Sequence, residues 1–107
     1  ELGVLRLLQG IADRSLIDNF VAQTLGPLIE AGRKHPYALV HTLDVLLKEN
    51  GNGAQAAQRL GVHRNTIIQR IQRIEQLSGQ SLDDSLFRMN ASVALLIWRM
   101  SESQGKE

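Results

Sequence analysis

The chain has no cysteine, two prolines and few aromatic side chains, which make up 4% of its 107 residues. The absence of cysteine excludes disulfide bridges, thiolate metal sites and cysteine nucleophiles. No apolar run approaches the roughly 18 residues that a membrane-spanning helix needs. The chain begins at Glu1 and shows no signal-peptide pattern, so we expect a cytoplasmic fragment of a longer protein.

What the chain does contain is typical of one helical domain. Its length fits a single core, and 43% hydrophobic with 21% charged residues is the balance of a globular protein. Leucine, alanine, glutamine and arginine are frequent, which favours helices. We therefore expect an all-α fold, a bundle of five or six helices.

Turn residues divide the chain into short segments in which apolar residues recur at helical spacing. The predicted helices cover 2–11, 15–25, a segment from Pro36 to a stop at 50–53, and then 53–60, 64–77 and 85–100. Gly26-Pro27 is expected to end the second helix. Asn52 and Gln55 predict a capping box, and Asp84 is expected to cap the last helix.

The chain divides into three predicted parts. We expect a helical lead-in at 1–33 that packs on or beside a helix-turn-helix domain at 34–101, followed by a frayed tail at 102–107. The second helix of the lead-in is expected to bury a set of four apolar side chains, Leu16, Phe20, Val21 and Leu25.

Positive charge is concentrated in the middle of the chain. The segment 50–74 carries four arginines and no acidic residue, whereas the whole chain has a net charge of only +1, so the rest carries −3. A basic block in an otherwise acidic domain is expected of a phosphate-binding face. A solvated surface that is merely rich in arginine explains the charge alone equally well.

The same segment has the pattern of a helix-turn-helix. This motif needs a small residue where its helices touch and, four residues later, a glycine for the tight turn. Ala57 and Gly61 have this spacing, and apolar residues follow where the two helices must pack. The predicted packing residues are Ala57, Leu60, Gly61, Val62, Ile67 and Ile71.

The second helix of this motif has an unusual outward face. With Ile67 directed into the core, helical geometry places Asn65, Gln69 and Gln72 on the opposite side. Amides pair with adenine edges and arginine with guanine or phosphate, and a thymine methyl would contact the otherwise stray Ile68. We therefore expect helix 64–77 to read duplex DNA in the major groove.

The position of each side chain on this helix suggests its role. Side chains near the helix start would read bases, and these are Arg64, Asn65, Ile68 and Gln69, with Gln72 as an extra contact. Others would hold phosphates and set the register, and these are Asn52, with the backbone N–H groups of 52–54, and His63, Thr66, Arg70 and Arg73. An intramolecular ion pair of Arg70 stays open as an alternative.

Nothing in the sequence nominates an enzyme. His35, His41 and His63 lack metal-ligand spacing, Asp83-Asp84 is explained as a helix start, and no nucleophile with a partner is apparent. We expect no cofactor and no metal.

The competing hypothesis is a helical dimerisation or protein-interaction module without direct DNA contact. The last helix has one apolar stripe with Met89 and Val93 and a second with Phe87 and Trp98 on the opposite face. A helix that is apolar on both faces is enclosed within its own chain or against a partner. Both cases predict that Trp98 is at least partly buried, and the second predicts a two-fold dimer.

The residues of this segment also resemble a known family. Asn50-Gly-Asn, Ala56-Ala57, Val62-His-Arg-Asn-Thr66 and Arg70-Ile71 are similar to the C-terminal DNA-binding domain of PucR-type regulators, which include purine-catabolism and sugar-diacid (CdaR-type) transcription factors. Val-His-Arg-Asn-Thr is the most specific piece, and the similarity extends over nearly the whole chain.

The resemblance implies a bacterial transcriptional regulator, with any small-molecule effector bound by an N-terminal part not present here. We also expect a homodimer at full length, because two recognition helices one DNA turn apart would read a palindrome. Two features depart from the family. Relatives commonly carry an Arg-Tyr type pair in place of Ile68-Gln69, so the base preference should differ. Many also have proline in place of Ser85, which affects only helix initiation.

Overall fold

A computed structural model describes residues 2–10, 13–32 and 38–105. Within these ranges the chain forms helices and no strand, which confirms the all-α prediction. The helices are α1 (Leu2–Gln9), α2 (Arg14–Ala31), α3 (Ala38–Lys48), α4 (Gly53–Leu60), α5 (Arg64–Ser78) and α6 (Ser85–Gly105). None of the described helices is long and apolar enough to cross a membrane. The predicted domain boundary at 33/34, the helix start at Pro36 and His35 lie outside the described residues.

Helix α2 begins at a cap that the sequence prediction missed. The Asp13 carboxylate accepts hydrogen bonds from the Ser15 hydroxyl at 2.6 Å and the Ser15 backbone N–H at 3.0 Å. The bond from the Ser15 side chain is the main reason that the pKa of Asp13 lies below its usual value. This cap satisfies a backbone donor that the first turn of a helix leaves open.

The prediction that Gly26-Pro27 ends the second helix is wrong, because α2 continues through Pro27 to Ala31. A proline inside a helix costs about 3 kcal/mol. Gly26 removes the clash between a Cβ and the proline ring that normally keeps the preceding residue out of a helix. Leu25 and Leu28, on either side of Pro27, are fully buried, and burying two such side chains contributes roughly 3–6 kcal/mol. Tertiary packing therefore outweighs the local signal.

The core lies where α2, α3, α5 and α6 meet. Helix α2 packs on α6, α5 and α3, while α4 packs on α5 and α3. The largest fully buried apolar side chains come from three of these helices, and they are Leu25, Leu28, Leu43, Leu46, Ile67 and Ile74. Small residues of α6, Ala91 and Ala94, allow close approach of the neighbouring helices.

The lead-in is less buried than predicted. Of the four α2 side chains expected in the core, only Leu25 is fully buried, Phe20 and Val21 are half-buried, and Leu16 is 63% exposed. The prediction for Leu16 is wrong because it lies in the first turn of α2, before the part of the helix that reaches the core. Helix α1 ends at Gln9, two residues before the predicted end.

Helix α6 begins as predicted and ends later. Asp84 accepts a hydrogen bond from the Leu86 N–H at 2.9 Å, which confirms its capping role. The helix continues to Gly105, so the predicted end at Met100 was too early. Between Met100 and Gly105 there is no proline or glycine to stop it. Trp98 is half-buried against the core, as both hypotheses for this helix required.

Candidate nucleic-acid interface

The turn between α4 and α5 is fixed by glycine. Gly61 adopts a left-handed conformation at φ 70° and ψ 32°. Its N–H donates to the Gln58 carbonyl at 3.2 Å, and the Val62 N–H donates to the Ala57 carbonyl at 3.0 Å. This pair of bonds is a Schellman motif, and glycine adopts the required conformation without steric cost. The predicted role of Gly61 in the turn therefore has a defined geometry.

Helix α4 begins at the predicted residue, Gly53, and Asn52 caps it. The Asn52 Oδ1 accepts from the Gln55 N–H at 3.1 Å, which is the first half of the predicted capping box. The second half is absent, because the Asn52 N–H donates to the Glu49 carbonyl at 3.0 Å instead. Of the three N–H groups predicted to face a phosphate, that of Asn52 is thus engaged, and the first-turn donors of Gly53 and Ala54 remain.

Helix α5 begins at Arg64 and is capped by a histidine. The His63 Nδ1 accepts a hydrogen bond from the Asn65 N–H at 3.0 Å, and the His63 carbonyl accepts from Thr66 and Ile67. The His63 backbone is extended, at φ −69° and ψ 153°, as an N-cap residue requires. His63 therefore fixes where the helix starts and how Arg64 and Asn65 leave the turn.

The two helices of the motif pack through the predicted residues. Ile67 and Ala57 are buried, at 1% and 6% exposure. A Cβ placed on Gly53 would lie 3.5 Å from the Ile71 side chain, so the start of α4 lies directly on α5. The remaining predicted packing residues, Leu60, Val62 and Ile71, are half-buried against the same core.

The outward face of α5 is open along most of its length. Five of the side chains predicted to read or hold DNA from this helix are exposed, namely Arg64, Asn65, Gln69, Gln72 and Arg73. Ile68 lies among them with 41% of its surface exposed. The structure thus brings the predicted base-reading set to one exposed surface, while Thr66 and Arg70 lie half-buried at its edge.

The positive charge of this region is partly neutralised. Arg59 of α4 forms a 2.7 Å ion pair with Glu49, which lies one residue before the acid-free segment. Arg70 donates to the buried Thr42 hydroxyl of α3 at 3.1 Å, so its contact within the domain is a hydrogen bond to a neutral side chain. Among the described residues, the three arginines of α5 have no carboxylate partner within 4 Å. The net positive charge therefore lies on α5.

The far end of α5 is tied to the loop that follows. Gly79 closes the helix in a left-handed conformation and donates to the Glu75 carbonyl. The Glu75 carboxylate accepts from the Leu82 N–H at 2.8 Å, which binds this loop back onto the helix. Glu75, the acidic residue of α5, is therefore engaged in a contact within the domain. On the exposed side, Arg73 donates a hydrogen bond to the Gln76 side-chain oxygen at 3.2 Å.

Three of these contacts were not predicted from the sequence. They are the bonds from Arg59 to Glu49, from Arg70 to Thr42 and from Leu82 to Glu75. Each joins residues 7 to 28 positions apart, and no local pattern signals such a pairing. The capping role of His63 was also missed, because histidine is not among the usual N-cap residues.

In the ranges that the structure describes, no cluster of histidine and acidic residues is arranged to hold a metal ion. The exposed amides, the arginines without carboxylate partners and the open N–H groups of α4 are instead donors and acceptors suited to nucleic acid.

The comparisons with known proteins agree with this geometry. The family model of the PucR C-terminal helix-turn-helix domain matches residues 39–97, more than half of the chain. The purine catabolism regulatory protein of Bacillus subtilis (strain 168) is 37% identical over 78% of this chain and 16% of its own length. The proline-responsive transcriptional activator PutR of the same organism is 25% identical over 92% of this chain and 24% of its own length.

The chain thus spans less than a quarter of the length of either relative. No solved structure matches it. The matched region begins within α3, ends within α6 and contains the whole of α4 and α5. The chain belongs to the family of PucR C-terminal helix-turn-helix domains.

Proposed function

We propose that this domain binds duplex DNA sequence-specifically, with α5 in the major groove, as the DNA-binding part of a bacterial transcriptional regulator. The observation that carries the proposal is the exposed face of α5. It presents amide and guanidinium groups next to the open start of α4. A helix diameter of about 10–12 Å fits the major groove.

The start of α5 is the part proposed to read bases. Arg64 and Asn65 directly follow the turn, and Gln69 lies one helical turn after Asn65 on the same face. Asparagine and glutamine form bidentate pairs with adenine, and arginine does so with guanine. Ile68 would contact a thymine methyl, and Gln72 would extend the contact along the groove.

Phosphates would be held on both sides of that face. The open N–H groups of Gly53 and Ala54, together with the NH2 group of the Asn52 side chain, would hold one phosphate at the start of α4. His63, Thr66 and Arg73 would hold others along the edge of α5. Arg70 keeps four of its five N–H donors after the bond to Thr42, so it remains a phosphate contact in this proposal.

The longer protein is proposed to act as a cytoplasmic homodimer and not as an enzyme. Two α5 helices about one DNA turn apart would read a palindrome. The relatives are named for purine catabolism and for a response to proline, and this domain covers only a small part of each. We therefore place effector binding, if there is any, outside this domain.

Fluorescence anisotropy on a labelled mixed-sequence duplex, measured over a series of salt concentrations, tests the proposal. We expect log K to fall with log salt with a slope of about −1.8 or steeper, because each of the two arginines assigned to phosphates displaces about one counterion. Replacing Arg70 and Arg73, the two arginines assigned to phosphates, with glutamine should flatten the slope by about 1.8. Replacing Arg6 and Arg14, on α1 and α2, removes the same charge and should change it much less. The proposal would be contradicted if neither this chain nor an artificially dimerised form of it binds the duplex at low salt.

One observation favours the second candidate, a helical interaction module. Leu86 and Met89, on the outward side of α6, are 58% and 59% exposed. Exposed apolar residues grouped on one helix face are a feature of protein contact sites. Light scattering over a range of concentrations tests this candidate. A chain that stays monomeric at high concentration would exclude self-association through α6.

A further inference from the structure

The His63 ring has two chemically distinct nitrogens, which can serve two different contacts. Nδ1 accepts the Asn65 N–H at 3.0 Å, so this nitrogen must carry a lone pair and no proton. A neutral imidazole with Nδ1 unprotonated has its hydrogen on Nε2. The capping bond therefore selects one tautomer and leaves Nε2–H as a donor.

The Nε2–H donor lies on the exposed side of the domain. The His63 side chain is exposed, and none of the hydrogen bonds found among the described residues uses Nε2. Residues 66, 70 and 73 follow one another at spacings of three and four, which places them along one edge of α5, and His63 directly precedes the first residue of that helix. This is the edge on which Thr66 and Arg73 were assigned to phosphates.

We propose that His63 is both the N-cap of the recognition helix and a neutral hydrogen-bond donor to a DNA phosphate, with the first role fixing the tautomer for the second. This inference rests on the proposed function, since it needs DNA at the α5 edge. It goes further in stating which ring nitrogen contacts the phosphate and that the ring contributes a hydrogen bond without a charge.

The absence of charge has a measurable consequence. An arginine that contacts a phosphate displaces a counterion and steepens the salt dependence. A neutral imidazole displaces none, although a hydrogen bond to a charged group still increases the affinity. Loss of the His63 donor should therefore weaken binding at every salt concentration and leave the slope unchanged.

Two substitutions separate the two functions. His63→Ser keeps an N-cap acceptor but is too short to place a donor where Nε2 lies. His63→Gln keeps a long N–H donor but is not a favoured cap. Each variant removes one function and keeps the other, and His63→Ala removes both.

The experiment measures the thermal unfolding midpoint and the anisotropy salt series of all four proteins on one duplex at mildly alkaline pH. We expect His63→Ser to keep the wild-type Tm and to bind about tenfold more weakly with an unchanged slope. We expect His63→Gln to lower the Tm by about 4–8 °C and to retain the larger part of the affinity when measured at a temperature where it is folded.

Three results would overturn the inference. If His63→Ser binds DNA with unchanged affinity, His63 acts only as the N-cap of α5. A slope flattened by about 0.9 in His63→Ser would show that the ring binds as a cation. Ring nitrogen chemical shifts that place the His63 ring proton on Nδ1 in the free protein would show that His63 does not adopt the tautomer that capping requires. Failure of the wild-type chain to bind DNA is a different result, because it contradicts the proposed function while the Tm comparison still tests the cap.

Discussion

The outward faces of α5 and α6 differ in chemistry although both helices bury the opposite face in the same core. Helix α5 exposes amides and two arginines around a single apolar side chain, Ile68. Helix α6 exposes Leu86 and Met89. Exposure alone therefore does not identify an interface. The amide and guanidinium groups on α5 match base edges and phosphates, whereas Leu86 and Met89 on α6 match another apolar surface.

The largest expected effect is on the free energy of unfolding, and it distinguishes the buried face of α5 from the exposed face. Ile74 is fully buried, so Ile74→Ala leaves a cavity and should lower the free energy of unfolding by about 2–5 kcal/mol. Ile68→Ala is the same chemical change on the exposed face and should cost much less. Urea denaturation of both variants measures the difference. Equal losses would mean that Ile68 is packed and that the exposed face is wrongly placed.

The next effect tests the exposed face for base reading. Gln69→Ala should cost about 1–3 kcal/mol of binding free energy on the preferred duplex, and Arg64→Ala a similar amount, with little change on unrelated sequences. Gln80→Ala, a glutamine in the loop at the far end of α5, is the matched control. Site selection with each variant measures this. An unchanged site preference of Gln69→Ala would show that the orientation of α5 is wrong.

The turn that positions α5 should show an intermediate effect on stability. Gly61→Ala meets open space, so its cost comes only from the left-handed backbone, about 1–2 kcal/mol. Gly3→Ala, in the helical α1 with equally open surroundings, should be neutral or slightly stabilising. Thermal unfolding measures both. A neutral Gly61→Ala would contradict the turn geometry.

Arg73, on the edge of α5, should contribute to DNA affinity through its charge. Arg73→Gln should weaken binding to all duplexes nearly equally and flatten the salt slope by about 0.9. Anisotropy on two unrelated duplexes measures both quantities. A loss confined to one sequence would instead make Arg73 a base-reading residue.

The smallest effect is expected on α6. Met89→Ser changes an exposed side chain and should alter the free energy of unfolding of the monomer by no more than about 0.5 kcal/mol. DNA affinity should not change either. A large loss of stability that depends on protein concentration would show that this face is covered by a second copy.

The sequence predicted the helix-turn-helix well because its boundaries are local. Asn52, Gly61 and the Val62–Arg64 connection lie at helix ends, where a single residue decides where a helix starts or stops. The observed α4 matches the predicted 53–60, and α5 ends one residue after the predicted 77. The exposed face of α5 also followed from helical geometry once Ile67 was directed inward.

Prediction failed where tertiary contacts override local signals. Pro27 was expected to stop α2, but the burial of Leu25 and Leu28 holds the helix through it. The pairing of Arg59 with Glu49 joins α4 to the turn after α3 and reduces the charge of the basic block. The role of each α5 side chain towards DNA depends on a partner, so it remains a prediction.

Mapping the DNA contact by NMR tests the central claim most directly. A chain of 11.9 kDa allows backbone amide signals to be followed while duplex DNA is added. We expect the largest changes at 52–54 and 63–73, with the signals of 86–100 nearly unchanged. Changes concentrated on α6, or no changes at low salt, would contradict the assignment of α5 as the DNA-binding helix.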